Sequence, residues 1–218
     1  MRSGPTTIRV GIDAPESPEL HWSPRAIQQT IDNEFDVRSE LSFPSFHGST
    51  PGIDAANVAI RNRVQAIDDW WIDGVSRSPG PIGDSEFELS FEVLTVSDTL
   101  ASVRLPWLAY ACCQPYPNYG TEGVTVDLTT GHVLAPEEIL DFSRLDEITR
   151  LWIAELERTG EVGDDIQGLL TNPQFNAIAV ADGGIEFYTD RGSLAGGFPG
   201  TSTLVSFDVL GDLVTLKR

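Results

Sequence analysis

Two stretches of the chain repeat apolar side chains at intervals of three and four residues, which is the spacing of an amphipathic helix. The first stretch covers residues 55–75, and its apolar positions are Ile60, Val64, Ile67, Trp71 and Val75. We expect these side chains to form one buried stripe, with Asp54 capping the start of the helix. Arg61, Asp68 and Asp69 are assigned to the solvent side of this helix.

The second helix is expected over residues 144–158. Its apolar positions have the same spacing and are Ile148, Leu151, Trp152 and Leu156. Ser143 and Asp146 stand three residues apart at its start and resemble a capping box in which Asp replaces the usual Glu or Gln. A single helical turn is expected before it, over residues 136–140.

The segment Glu86–Ser97 is predicted to be a strand, because its residues alternate between apolar and polar over positions 86–93, as in a half-buried strand. Its apolar positions are Phe87, Leu89, Phe91 and Val93, and its polar positions are Glu86, Glu88, Ser90 and Glu92. Only one face of this strand is therefore expected to meet the core. Such one-sided burial is typical of an antiparallel sheet.

Turn residues divide the rest of the chain into shorter segments. Strands are expected over residues 6–12, 41–46, 100–112, 123–128, 132–134, 177–181, 185–189 and 203–207. Residues 26–35 are compatible with a short helix or an irregular strand. Strands joined mostly by hairpins, together with two principal helices, predict an α+β fold in which the helices pack on a mainly antiparallel sheet.

The length and composition are those of a folded globular chain. With 218 residues, of which 40% are apolar and 22% charged, the chain can bury a core without metal or disulfides. We expect one compact unit over residues 1–218, with a smaller N-terminal module at about 1–98 and a C-terminal module at about 99–218. No apolar run approaches the roughly 18 residues of a transmembrane segment, so none is predicted.

The first ten residues, MRSGPTTIRV, lack the apolar stretch of a secretory signal. Two interpretations follow. The chain is a cytosolic product, or it is a secreted or cell-surface protein whose targeting segment has been removed.

The charge balance is strongly acidic. Thirty-three carboxylates against 14 basic residues give a formal net charge of −19. Nucleic acid is excluded as an expected partner because its binding relies on clustered Lys and Arg. A cationic partner would be attracted at long range, although the same charge also serves solubility. Lys217 is the only lysine, a bias that suggests a GC-rich genome such as an actinobacterium's, or a halophile.

Neither a metal site nor a cofactor is predicted. His21, His47 and His132 are far apart in sequence and show no ligand spacing, and no phosphate-binding loop or nucleophile elbow is present. Cys112 and Cys113 are adjacent in an expected strand, so their side chains point to opposite faces and are poorly placed for a disulfide. They are interpreted as small buried residues, with a vicinal disulfide or a reactive thiol as the alternative.

One segment, YACCQPYPNYGTEGVTVDLTTGHVLAPEEIL, carries a family resemblance. Within it, Pro117-Asn118 is followed by eight residues and then by Asp127-Leu128-Thr129-Thr130-Gly131. This pattern resembles the motif "His-Pro-Asn, eight residues, Asp-Leu-x-Thr-Gly" of the extracytoplasmic domain in RsiV-type anti-sigma factors. Similar domains occur in a secreted mycobacterial immunogenic antigen family and in the non-catalytic part of some peptidoglycan deacetylases.

The sequence departs from that motif at the histidine, which is replaced by Tyr116. A titrating or metal-binding role at this position is therefore doubtful, and a structural turn between strands is the simplest interpretation. The resemblance implies a non-enzymatic extracytoplasmic recognition domain whose ligand is a protein, lysozyme being the known type, or a cell-envelope component. The ligand-binding candidates are Tyr116, Asn118, Tyr119, Asp190, Arg191 and Phe198.

Two other functions stay open from the sequence. A cell-wall or carbohydrate-active enzyme would use carboxylates that converge only in the fold, and a cytosolic protein would merely share that fold. Adjacent carboxylates are interpreted as solvated faces; they are Asp68 and Asp69, Glu137 and Glu138, and Asp164 and Asp165. The enzyme would require two carboxyl groups across a cleft, one with a raised pKa.

Overall fold

The chain combines two sheets with two principal helices, as the computed structural model describes it over residues 20–31, 37–76, 84–112, 117–159, 178–188 and 202–216. The strands are β1 (His21–Ile31), β2 (Val37–His47), β3 (Ser85–Leu89), β4 (Glu92–Val96), β5 (Leu100–Tyr110), β6 (Asn118–Asp127), β7 (Ile178–Ala181), β8 (Gly184–Tyr188) and β9 (Ser202–Ser206). The α-helices are α1 (Ile53–Ser76), α2 (Pro136–Ile139), α3 (Leu145–Thr159) and α4 (Phe207–Leu210), with one-turn 3₁₀ helices at Phe142–Arg144 and Gly211–Leu213. The predicted α+β class is confirmed.

The larger sheet is mixed. Its strand order is β1-β2-β3-β5-β4, with β6 paired to β5. Antiparallel pairing joins β1 to β2 and β5 to both β3 and β4, whereas β2 and β3 are parallel. The parallel pair follows from the connection through α1, because parallel neighbours need a crossover rather than a hairpin. The smaller sheet, β7-β8-β9, is antiparallel throughout.

The described residues fall into two compact units. The first unit contains those up to Phe91 together with Leu105–Tyr119 and Leu128–Gly131. The second unit contains Glu92–Arg104, Gly120–Asp127 and the described residues from His132 onward. The modules proposed from sequence, at about 1–98 and 99–218, stay a prediction.

The core of the first unit lies between α1 and one face of the sheet. The predicted helix stripe is confirmed, since Ile60, Val64, Ile67, Trp71 and Val75 are all buried. These side chains meet buried strand residues, which include Val37, Leu41, Phe43, Phe46, Phe87 and Leu89. The Trp71 and Phe87 rings stack with centroids 6.0 Å apart.

The core of the second unit lies between α3 and the smaller sheet. Ile148, Trp152 and Leu156 of α3 are buried, while Leu151 is half-buried. Trp152 stacks on Phe187 of β8 with ring centroids 5.6 Å apart. Buried aromatic area of this kind is a main contribution to the stability of a small core.

The strand predicted over Glu86–Ser97 is interrupted at Ser90 and Phe91, giving β3 and β4. The register of β3 on β5 places Ser90 opposite Pro106, and the Ser90 amide donates to the Pro106 carbonyl at 3.0 Å. Proline has no N–H to return a hydrogen bond, so the ladder weakens at this point. Phe91, predicted to face the core, is half-buried.

Of the two interpretations given for residues 26–35, the strand holds for the described part, since residues up to Ile31 belong to β1. Two other local predictions are corrected. The helix α1 begins at Ile53, so Asp54 lies inside its first turn rather than at its cap. The predicted Ser143 and Asp146 capping box does not start α3. Instead, the Asp141 carboxylate accepts from the Ser143 amide at 3.1 Å and caps the 3₁₀ turn that leads into α3. The strand predicted over residues 6–12 lies outside the described residues.

Candidate functional site

The Asp-Leu-Thr-Thr-Gly part of the motif forms a turn that packs on the start of α1. Leu128 is buried, and its carbonyl accepts a hydrogen bond from the Gly52 amide at 2.8 Å. Gly131 has a φ of +76°, and a Cβ atom there would collide with the Ala55 side chain. A Cβ on Gly52 would lie 2.5 Å from the Leu128 oxygen. Each feature needs close backbone approach, so this half of the motif has a structural role.

The other half of the motif leads into β6. Residues 113–116, including the predicted ligand-binding Tyr116, lie outside the described residues. Asn118 is the first residue of β6 and is exposed, and Tyr119 follows with 39% of its surface exposed. Exposed tyrosine is a common anchor in protein interfaces because it combines an apolar ring with a polar tip.

Tyr119 lines a groove of ≈ 460 Å³ on the first unit, which we call the open-face groove. The groove is lined by Ala26, Ile27, Gln28, Glu40, Leu41, Ser42, Glu88, Leu89, Ser90, Pro106, Trp107, Leu108 and Tyr119. All of these residues except Ser90 lie on strands, which are β1, β2, β3, β5 and β6. A groove with apolar walls and a few polar groups is the usual form of a binding site.

The alternation of the strands explains which side chains face this groove. Along β2 and β3 the core-facing residues are buried, while the intervening Glu40 and Glu88 are exposed. The exposed residues lie on the face of the sheet opposite α1, because successive strand residues point to opposite faces. Glu40 and Glu88 are direct partners in the parallel register of β2 and β3.

A second groove, of ≈ 490 Å³, lies in the first unit beside the start of α1. Its charged residues are Arg25, Asp54 and Arg61. Asn57 of α1 also lines it, and both ends of that amide are used: the Oδ1 atom accepts from the Phe46 amide at 2.7 Å and Nδ2 donates to the Phe46 carbonyl at 2.8 Å. This groove has mixed charge and contains none of the predicted site residues.

The second unit contains a network of paired charges around Arg104 of β5. The guanidinium contacts Glu92 of β4, both carboxylate oxygens of Glu186 at 3.4 Å and the Ser202 hydroxyl at 3.0 Å. The Tyr188 hydroxyl donates to Glu186 at 2.6 Å. Burial alone would lower the pKa of Arg104, but the carboxylates of Glu186 and Glu92 raise it overall. Burial, then the hydrogen bond to Glu186, raises the pKa of Tyr188.

Asp68 of α1 is fully buried, so its assignment to the solvent side was wrong. It follows Val64 by four residues and precedes Trp71 by three, which places it beside the apolar stripe. The Ser39 hydroxyl of β2 donates to Asp68 Oδ1 at 2.6 Å, and Oδ2 has no hydrogen-bond partner among the described residues. Burial raises the pKa of this carboxyl, against the lowering effect of the Ser39 hydrogen bond. Asp68 does not line either groove.

The fold brings together two of the three histidines. His21 and His47 are opposite each other on β1 and β2, and their rings stack with centroids 5.1 Å apart. His132 instead contacts Glu138 at 2.9 Å. Within the described ranges, no group of three or more His, Cys, Asp or Glu side chains is placed to hold a metal ion. Across the same ranges, no helix combines the length and the apolar character needed to cross a membrane.

Of the six predicted ligand-binding residues, the structure describes Asn118 and Tyr119, and Tyr119 lines the open-face groove. The other four, Tyr116, Asp190, Arg191 and Phe198, lie outside the described residues. Sequence reasoning missed Glu40 and the pairing of Glu40 with Glu88. The solvent-facing side of β3 was predicted from its alternation. Its pairing with β2 was not, because that pairing depends on the crossover through α1.

Comparison with known proteins places the fold among solved structures. No family model and no curated protein matches the sequence. A DUF3298 family protein from Pseudomonas aeruginosa is similar, with 15% identity, a TM-score of 0.57, and coverage of 94% of this chain and 96% of that one. A DUF3298 family member from Bacteroides fragilis has 12% identity and a TM-score of 0.58, covering 92% of this chain and 95% of its own. At this identity the likeness shows the fold alone: the chain has a fold similar to that of these two DUF3298 proteins.

Proposed function

We propose that this chain is a non-enzymatic, extracytoplasmic recognition domain that binds a cationic protein of the lysozyme type through the open-face groove of its first unit. The observation that carries the proposal is the groove itself, whose lining includes exposed Tyr119 and the exposed carboxylates of Glu40 and Glu88. The motif resemblance to RsiV-type domains and the DUF3298 fold support the choice of ligand class.

The charge of the chain supports a cationic ligand in a second way. A formal net charge of −19 creates a negative field that speeds the encounter with a positive protein, and salt screens that field. Steering of this kind changes the rate of association more than the final affinity. Binding should therefore weaken as the salt concentration rises, mainly through a slower association rate.

Besides its acidic groove, the first unit has exposed aromatic residues, which are common in protein-binding surfaces. Trp22, Tyr110 and Tyr119 are each more than a third exposed. Trp22 also packs edge-to-face on Phe91, with ring centroids 5.4 Å apart, which restrains its ring. A partly held aromatic ring loses little conformational entropy on binding, so it is an economical contact residue.

A titration with hen lysozyme tests the proposal. We expect a stoichiometric complex at micromolar concentration and low salt, detected by calorimetry or a mobility shift. Acetylated lysozyme, whose lysine charges are neutralised, is the control and should bind more weakly. Absence of heat and of a mobility shift with unmodified lysozyme would overturn the choice of ligand.

The enzyme alternative gains no specific support from the described residues. It requires two carboxyl groups across a cleft, one of them with a raised pKa. Among the described carboxyl groups, Asp68 has a raised pKa but is buried beneath the sheet beside Ser39. A carboxyl without access to substrate cannot act as its general acid.

A further inference from the structure

The open-face groove contains two glutamates that stand directly opposite each other on neighbouring strands. Glu40 of β2 and Glu88 of β3 are Cα partners, and neighbouring strands lie about 4.8 Å apart. Both residues are exposed. In the described part of the chain neither forms an ion pair, and the contact of Glu40 is a long hydrogen bond from Gln28 Nε2 at 3.4 Å.

This arrangement is electrostatically unfavourable when the groove is empty. Like charges directly opposite each other on adjacent strands repel and destabilise the sheet. A cation placed between the two carboxylates would replace that repulsion with two attractions. The two carboxylates on the face of the sheet that lies away from α1 are therefore electrostatically complementary to a basic group.

We infer that the open-face groove binds an arginine side chain of the protein ligand, with its guanidinium held between the carboxylates of Glu40 and Glu88. This inference rests on the proposed recognition of a protein. A guanidinium carries five N–H donors on separate edges of one plane, so it can donate to two carboxylates at once. A lysine ammonium is a compact, strongly hydrated charge and satisfies this geometry less well.

The apolar lining of the groove suits the rest of an arginine side chain. Pro106 and Leu108 of β5 are half-buried and leave apolar surface against which the methylene stem can pack. Tyr119 of β6 is 39% exposed and also lines the groove, and tyrosine is a side chain on which a guanidinium can stack. The groove lining thus contains the three kinds of group that an arginine side chain contacts: carboxylates, apolar surface and an aromatic ring.

A calcium ion is a poorer occupant. Calcium takes six to eight oxygen ligands at about 2.3–2.6 Å, and two carboxylates supply too few. In the ranges that the structure describes, no cluster of three or more metal-binding side chains includes Glu40 or Glu88.

The test uses capped Gly-Gly-Arg-Gly-Gly peptide with the whole chain, and compares it with the lysine and citrulline counterparts. Citrulline keeps the size of arginine but has no positive charge. We expect the arginine peptide to shift the amide resonances of Glu88, Leu108 and Tyr119 in nuclear magnetic resonance spectra. Affinity should fall in the order arginine, lysine, citrulline, with about tenfold or more between the first and the last.

Two double variants distinguish binding by the groove carboxylates from non-specific attraction by the acidic surface. Glu40→Gln with Glu88→Gln should lower the affinity for the arginine peptide about tenfold or more, since both charged acceptors are lost. Glu137→Gln with Glu157→Gln removes the same two charges from exposed helix positions of the second unit and should leave affinity within about twofold. Equal loss in both double variants, or equal binding of the citrulline peptide, would overturn the inference.

The lysozyme titration distinguishes the two proposals. If the variant with glutamine at residues 40 and 88 binds lysozyme as tightly as the native chain, protein recognition stands and the arginine site is wrong. If lysozyme does not bind but the arginine peptide binds and depends on both glutamates, the arginine site stands and lysozyme is the wrong ligand. If neither binds, both proposals are wrong.

Discussion

The two units of this molecule differ in how a pair of strand glutamates is neutralised. In the second unit, Glu92 and Glu186 share the guanidinium of Arg104, and Tyr188 donates a further hydrogen bond. In the first unit, Glu40 and Glu88 stand opposite each other with no cation between them in the described part of the chain. The same residue type therefore stabilises one unit and leaves the other with unmatched charge.

This difference is consistent with the proposal that the first unit binds the ligand. A network whose donors and acceptors are paired has little to gain from an additional partner, since binding would first have to break existing contacts. Charges that form no ion pair on an exposed surface can attract a ligand without first breaking existing contacts. Arg104 of β5 bonds to Glu186 of β8 and to Ser202 of β9, so this network links those strands.

The largest expected effect comes from the turn glycines of the two units. Gly131→Ala should lower the free energy of unfolding by about 3 kcal/mol or more, because left-handed backbone strain adds to a collision with Ala55. Gly183→Ala in the second unit has the same strain, with φ +88°, but open space around the new methyl group. It should cost about 1–2 kcal/mol. Urea unfolding followed by tryptophan fluorescence measures both, and equal losses would contradict the packing role of the motif.

Arg104→Met is expected to have the next largest effect. It leaves Glu92 and Glu186 without their shared cation and should lower stability by about 2–3 kcal/mol. Arg150→Met, at an exposed position of α3, is the control and should stay within about 0.5 kcal/mol of the native chain. Thermal unfolding of both variants gives the comparison. Similar midpoints would show that the network contributes little.

Asp68→Asn should change how stability depends on pH. Burial raises the pKa of Asp68 in the folded state above its ordinary value of 3.8, so the folded chain holds a proton that the unfolded chain has released. Native stability therefore falls as pH rises through the interval between the two pKa values. The asparagine variant lacks this loss and should be more stable at neutral pH, by on the order of 1 kcal/mol.

The control for Asp68 is the neighbouring Asp69→Asn. Asp69 is exposed, so its removal should leave most of the pH dependence in place. Urea unfolding at several pH values between 3 and 8 measures both variants. A native chain and an Asp68→Asn variant with parallel stability curves would rule out the proposed titration of Asp68.

The smallest expected effect separates the two glutamates of β3. Glu88→Gln should raise stability by about 0.2–1 kcal/mol at low salt, because it removes the repulsion from Glu40. Glu86→Gln should act in the opposite direction, since Glu86 is the register partner of Arg38. Both effects should shrink in about 1 M salt, where exposed charges are screened. Chemical unfolding at two salt concentrations measures them, and equal signs would show that cross-strand pairing does not control these charges.

The two long helices were predictable because their information is local. The 3.6-residue period orders the side chains of one segment without reference to any other, so the buried stripe from Ile60 to Val75 followed directly from spacing. The same period placed Asp68 on the buried side. Its assignment to solvent was wrong because the fold buries this carboxyl against the Ser39 hydroxyl of β2.

Single strands were predictable in the same local sense, but their neighbours were not. Alternation correctly separated Phe87 and Leu89 from Glu86 and Glu88. The break after Leu89 depends on Pro106, which lies on another strand and lacks the N–H to complete the ladder. No property of the segment 86–97 itself reveals that partner.

Local periodicity and turn chemistry were thus enough to establish the α+β class, the two helix faces and the Thr-Thr-Gly turn, since each depends on residues close together in the chain. The candidate site, in contrast, depends on residues that are far apart in the chain. Glu40 and Glu88 meet because the crossover through α1 makes β2 and β3 parallel neighbours, and Tyr119 joins them from β6. Contacts between residues so far apart in the chain arise from strand pairing, which only the folded sheet defines.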